Sequence, residues 1–134
     1  MAPRLDVVGL VVKHMSATLA FYRRLGLMFA DGAEKEGHVE TALPGGLRLV
    51  FDTIEIIHSF NRDWVPPTGG HRVALAFACA SPTEVDELHR ELVATGHDGH
   101  LATWDAFWGQ RYASVHDPDG NAVELFADLA DHAS

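Results

Sequence analysis

The residues best suited to hold or transform a ligand gather in one stretch of this 134-residue chain. Trp104 and Trp108 flank Phe107 just ahead of Gln110, Tyr112, Ser114 and His116, which alternate along a strand-like run, and Glu124 follows on the next. An indole presents a flat face that stacks on planar ligands and attracts cations. Amide, phenol, hydroxyl and carboxylate groups can then fix orientation in a mostly apolar pocket. The plainer reading of each aromatic is that it closes a core or a subunit interface. Glu124 likewise reads either as a cavity acceptor or as a hydrogen-bonded structural carboxylate. Ser114 and His116, two apart on one strand face, come nearest to a nucleophile–base pair. Without an orienting third group or oxyanion donors they make a weak catalytic signal, and no catalytic residue is assigned.

Nine histidines raise the question of a metal. His97 and His100 are three apart, which on a strand places them on opposite faces. His14, His89 and His132 fall in a loop, a helix and the tail, where solvation is expected. His38, His58, His71 and His116 lie where a pair could converge, the one route to a relocated metal site. The single cysteine, Cys79, sits in the apolar run Val73–Cys79 and reads as a buried, inert thiol that leaves no intramolecular disulfide to form.

The elements that must position these groups follow from apolar patterning. Leu5–Val12 is a β-branched strand, and Ser16 reads as the N-cap of a helix over Ala17–Leu25 closed by Gly26. Strand candidates follow at Leu27–Ala30, His38–Leu43 and Leu47–Asp52, the last two joined by a Gly45-Gly46 turn. The second half repeats the order. Arg72–Cys79 is a strand, and Ser81-Pro82-Thr83-Glu84 is a capping box opening a helix whose apolar face carries Val85, Leu88, Leu92 and Val93, ended near Gly96. Further strands are expected at His97–Ala102, Gln110–His116 and Asn121–Phe126, with Asp117-Pro118-Asp119-Gly120 as the last turn. The chain therefore reads as an α+β domain of two βαβββ units, at about 5–52 and 71–127, joined by a partly ordered loop over 53–70. The first strands and helices superpose at an offset of about 67 and the last strands at about 75.

Two stretches resemble the signatures of one known family. Val8-Gly9-Leu10-Val11-Val12 with Leu19-Ala20-Phe21-Tyr22-Arg23-Arg24-Leu25-Gly26-Leu27 is similar to the N-terminal signature of the vicinal oxygen chelate superfamily, the glyoxalase / bleomycin-resistance / dioxygenase family. The run from Trp108 through His116-Asp117-Pro118-Asp119-Gly120-Asn121 to Leu125 is similar to its C-terminal signature. The resemblance covers nearly the whole chain and speaks to fold more than to chemistry. It implies a strongly curved mixed sheet around a concave ligand cavity, with both helices outside, and a homodimer with pockets at or near the interface. Period-two alternation then sends Val8, Leu10, Val12, Ala113, Val115, Val123 and Leu125 to the helices. Val7, Gly9, Val11, Trp108, Gln110, Tyr112, Ser114, His116, Glu124 and Phe126 go to the cavity.

Family enzymes hold a divalent metal at four equivalent concave positions, which align here with Val7, Leu49, Ala74 and Glu124. A catalytic site needs about three protein ligands, and only Glu124 has a donor, so neither a metal nor another cofactor is expected. The expected ligand contacts are Trp64, Trp104 and Trp108 for stacking and Gln110, Tyr112 and Glu124 for orientation. Phe51, Phe60 and Ser114 complete the pocket. The leading function is a metal-independent binding protein that sequesters a bulky aromatic or antibiotic-like molecule, as bleomycin-resistance-type proteins do. The rival is a lyase, isomerase or dioxygenase-type enzyme using Glu124 or a relocated metal site, and a third reading is a metabolite-binding regulatory domain. A formal net charge of −9 disfavours nucleic acid, which demands a positive face. No apolar run approaches a membrane span or a signal-peptide core, so the protein is expected to be cytoplasmic, without a membrane partner.

Overall fold

Burial on alternate residues of short β-branched runs, with helices capped between them, decides the architecture. The computed structural model describes residues 2–129, so the expectation for His132 lies outside the described residues. It is an α+β structure with two mixed sheets, divided into compact units Met1–Thr68 and Gly69–Ser134.

The first unit runs β1 (Val7–Val12), α1 (Met15–Arg24), a 3₁₀ turn (Ala33–Lys35), β2 (His38–Ala42), β3 (Arg48–Thr53) and α2 (Ile54–Phe60). Its sheet has the order β1-β3-β2, with β1 parallel and β2 antiparallel to β3. Met15, Thr18, Leu19 and Tyr22 form the buried stripe of α1, three and four residues apart as one helix face requires. Tyr22 meets Phe51 of β3 at 5.3 Å between ring centroids, and Phe29 meets the same ring edge-on at 5.6 Å.

Three expectations for this unit are corrected. Leu27–Ala30 is not a strand; Met28 is exposed, and the segment is held by Thr41 Oγ1 donating to the Met28 carbonyl. His14, not Ser16, is the N-cap of α1, with Ser16 inside the first turn. The segment read as a connecting loop contains α2, whose N-cap Thr53 accepts from the Ile56 N–H. A helix rich in isoleucine gives no strong propensity signal, because β-branched side chains are poor helix formers.

The second unit runs β4 (Ala74–Ala78), α3 (Pro82–Ala94), β5 (Leu101–Ala106), β6 (Gln110–His116) and β7 (Ala122–Asp128), in the sheet order β4-β7-β6-β5. Here the capping signature forms as read: Ser81 Oγ accepts from the Glu84 N–H, and Pro82 opens the helix. Glu84 reaches back to the Ala80 N–H. Val85 and Leu92 are fully buried with Ala113, Val115, Val123 and Leu125, so α3 covers that face of the sheet. The second strand of this unit begins and ends four residues later than expected, at Leu101–Ala106, and its pairing with β6 slips between Leu101 and Trp104. In both units a glycine with positive φ follows the helix, Gly26 at 93° and Gly96 at 96°, a conformation glycine alone adopts without strain.

Candidate functional site

Directly paired residues in a sheet share a face, so the register sorts the second unit without ambiguity. Tyr112 pairs with Trp104 on one side and Phe126 on the other, and Ser114 pairs with Glu124. These residues, with Gln110, His116 and Asp128, stand on the face opposite α3. Ala74, Ala76 and Ala78 of β4 continue it as a low, exposed margin. The alternation read from the sequence is correct on both strands.

The face is dominated by contacting rings. Trp104 and Trp108 stand with perpendicular planes and centroids 6.5 Å apart. Tyr112 lies 5.4 Å from Trp104 and 5.3 Å from Trp108, and stacks on Phe126 at 6.1 Å. Such edge-to-face and stacked pairs favour one another electrostatically beyond their apolar burial. Trp108 keeps 47% of its surface exposed, and Phe107 at the tip of the β5–β6 turn keeps 95%.

Polar tips tie the rings down. The Trp108 indole N–H donates to Gln110 Oε1 at 2.9 Å, and Gln110 Nε2 donates to Asp128 Oδ1 at 3.1 Å. The Tyr112 hydroxyl donates to Glu124 Oε2. Burial first, and then Glu124, push the Tyr112 phenol up to about 12, so it stays a neutral donor. Ser114 is buried on the same face. No bond joins it to His116, whose Nδ1 is 3.0 Å from Asp98 and whose ring stacks on His100 at 4.3 Å. The Ser114–His116 pairing is therefore absent among the described residues.

The first unit answers differently. Phe51, expected in the pocket, is fully buried against Tyr22 and Phe29 on the helix side and belongs to the core. Leu49 shares that face and is only 3% exposed. Because Gly9 pairs with Val50 as Ala76 pairs with Glu124, the counterpart of Glu124 is Val50, one residue beyond the expected Leu49. A one-residue slip flips a whole strand, so the same misalignment misplaced Phe51. Phe60, 71% exposed, ends α2, and Trp64 packs edge-on against His58, whose Nε2 is 2.8 Å from the Trp64 carbonyl.

The open face of the first sheet carries an ionic chain that sequence reasoning missed. His38 Nδ1 lies 2.6 Å from Asp52 and Nε2 lies 2.8 Å from Glu40. Arg48 bonds both Glu40, at 2.5 Å, and Asp6, at 2.8 Å. Glu40 and then Asp52 raise the His38 pKa, while His38 and then Arg48 lower that of Glu40. The signal was present in the alternation of His38 with Glu40 and of Arg48 with Asp52, four polar positions on the strand face that does not carry the core. His89, expected in solvent, is part-buried and lies 3.2 Å from the Gly99 carbonyl. Cys79 is part-buried too, and burial pushes its thiol up to about 11, consistent with an inert group.

These residues do not fit a divalent metal at the positions the family resemblance implies. Val7, Val50 and Ala74 have no donor atoms, and one Glu124 oxygen is engaged by Tyr112. Among the described residues, no three His, Cys, Asp or Glu side chains come together as a metal-binding group. No helix among them is long and apolar enough to cross a membrane.

Comparison with known proteins gives three kinds of likeness. The family model described as "Glyoxalase/Bleomycin resistance protein/Dioxygenase superfamily" matches residues 4–125. The uncharacterized protein YwbC of Bacillus subtilis is 26% identical over 130 residues, spanning 94% of this chain and 98% of that protein. Among solved structures, a glyoxalase/bleomycin resistance protein/dioxygenase family enzyme from Burkholderia phytofirmans superposes with a TM-score of 0.80 at 20% identity, covering 95% of this chain and all of that one. The genomically encoded fosfomycin resistance protein FosX from Listeria monocytogenes superposes with a TM-score of 0.69 at 20% identity, covering 98% of both chains.

Proposed function

The chain belongs to the glyoxalase/bleomycin resistance protein/dioxygenase superfamily, and from that premise we propose that it binds and sequesters a bulky aromatic, antibiotic-like small molecule without a metal. The observation that carries this reading is the partly exposed ring cluster of Trp104, Trp108, Tyr112 and Phe126, braced by Gln110, Glu124 and Asp128. Flat rings with a few fixed polar groups recognise planar ligands by stacking and shape. Trp104 and Trp108 supply the stacking surface, and Tyr112, Gln110 and Glu124 set its edges. A resistance role accords with the fold shared with the fosfomycin resistance protein, although that likeness concerns fold alone. Metal independence rests on the donor-free side chains of Val7, Val50 and Ala74. The protein acts as a homodimer in this proposal, which light scattering at twice the chain mass would bear out.

The test is a tryptophan-fluorescence titration of chelator-treated protein with planar antibiotics, bleomycin-type glycopeptides among them. Saturable quenching near stoichiometry, unchanged by added divalent metal, supports sequestration. A response that appears only once metal is restored overturns it in favour of an enzyme.

A further inference from the structure

Resting on that binding reading, we propose that the part of the ligand docked on the second unit is a cation, an alkylated ammonium or a cationic heteroaromatic ring, held against Trp104 and Trp108 and countered by Glu124. The first support is geometric. A cation is attracted to the negative face of an indole within about 6 Å of its centroid. The two indole planes are perpendicular with centroids 6.5 Å apart, and Trp108 retains open surface for a compact cation.

The second support is the distribution of charge within the unit. Both charged strand residues on the aromatic face, Glu124 and Asp128, are acids. From Gly69 onward the sequence has three arginines and no lysine. Arg111 is turned to the α3 face, where Asp86 at 2.9 Å, Asp105 at 3.0 Å and Thr103 at 3.1 Å hold its guanidinium. Arg90 lies on α3 and, with Arg111, lines a separate cavity of about 540 Å³ on that side. Arg72 precedes β4, two strands away from the β6–β5 margin that carries the tryptophans. The field over the rings therefore favours positive ligands and repels anions.

The third support is hydrogen-bond polarity. Three donors of this face are turned inward: Tyr112 to Glu124, Trp108 to Gln110, and the Gln110 amide to Asp128. Glu124 Oε1 and Asp128 Oδ2 have no protein partner among the described residues. Carboxylate oxygens beside ring faces are a pattern that suits a cation.

A matched pair of probes tests this on the full, chelator-treated chain at low salt: 1-methylquinolinium and its neutral counterpart of the same shape, 1-methylnaphthalene. The expected result is at least tenfold tighter binding of the cation. Glu124→Gln, which keeps an acceptor for Tyr112, should narrow the gap to about threefold, Asp128→Asn should narrow it less, and Trp108→Ala should weaken both probes. Equal binding of the two probes, or tighter binding of the neutral one, overturns the cation assignment while leaving the aromatic site standing. Failure of both probes to bind, or binding insensitive to Trp108→Ala, overturns the site itself.

Discussion

Tyr112 and Glu124 are diagonal neighbours across β6 and β7, and the phenol donates to Oε2 of the carboxylate. Two independent influences, burial and then the carboxylate, oppose its ionisation. In an alkaline titration followed at 295 nm, the Tyr112 transition should centre near 12. Glu124→Gln should lower that midpoint without returning it to the ordinary value of about 10, because burial persists. A midpoint unchanged by the substitution would show that the pair is not formed in solution.

Stacking rather than charge should carry most of the affinity for a planar ligand. Trp108→Ala is expected to cost roughly tenfold or more in Kd, about 1.4 kcal/mol, against about threefold for Glu124→Gln. Isothermal titration calorimetry with one planar antibiotic decides the order, and the reverse order would count against a stacking site.

His38 bridges Glu40 and Asp52, and both raise its pKa in the folded chain. A group whose folded pKa is raised binds its proton more tightly in the native state. Its contribution to stability is full below its unfolded value of about 6.5 and is lost as pH rises through the higher folded value. Urea midpoints of the wild type and His38→Gln should therefore differ most under mildly acidic conditions and converge as the pH becomes alkaline. The difference should be modest, since all three side chains are solvent-accessible. A gap that widens with pH would rule out this assignment.

Phe51 offers a contrast between core and site. Phe51→Ala removes a fully buried ring that touches Tyr22 and Phe29, and should destabilise the protein by about 3–5 kcal/mol. Where enough folded protein remains at low temperature, ligand affinity should be unchanged. A stable variant with impaired binding would return Phe51 to the pocket.

Legibility in the sequence followed how strictly each segment alternated. On β6 and β7, small or branched apolar residues at 113, 115, 123 and 125 alternate with polar or aromatic ones, so either strand alone fixes which face is which. β3 gives no such signal, because Leu49, Val50 and Phe51 are all apolar and all buried. Its facing had to be borrowed from the repeat, and an alignment one residue out placed Leu49 and Phe51 on the wrong side. The ionic chain of Asp6, Arg48, Glu40 and His38 links the residue just before β1 to β3 and β2 through a register that sequence spacing does not reveal. Trp104 and Trp108 were recognisable by type alone, whereas the ring packing that joins them to each other and to Tyr112 depends on β5 reaching Ala106.

The slip in pairing between Leu101 and Trp104 interrupts the outermost strand of the second sheet. An uninterrupted margin there would offer a regular row of backbone donors and acceptors to any strand from another molecule, the usual start of intermolecular β-association. A break in the ladder, followed by the charge of Asp105, denies a newcomer that regular register. The irregularity beside the tryptophans therefore works against edge-to-edge strand addition at β5.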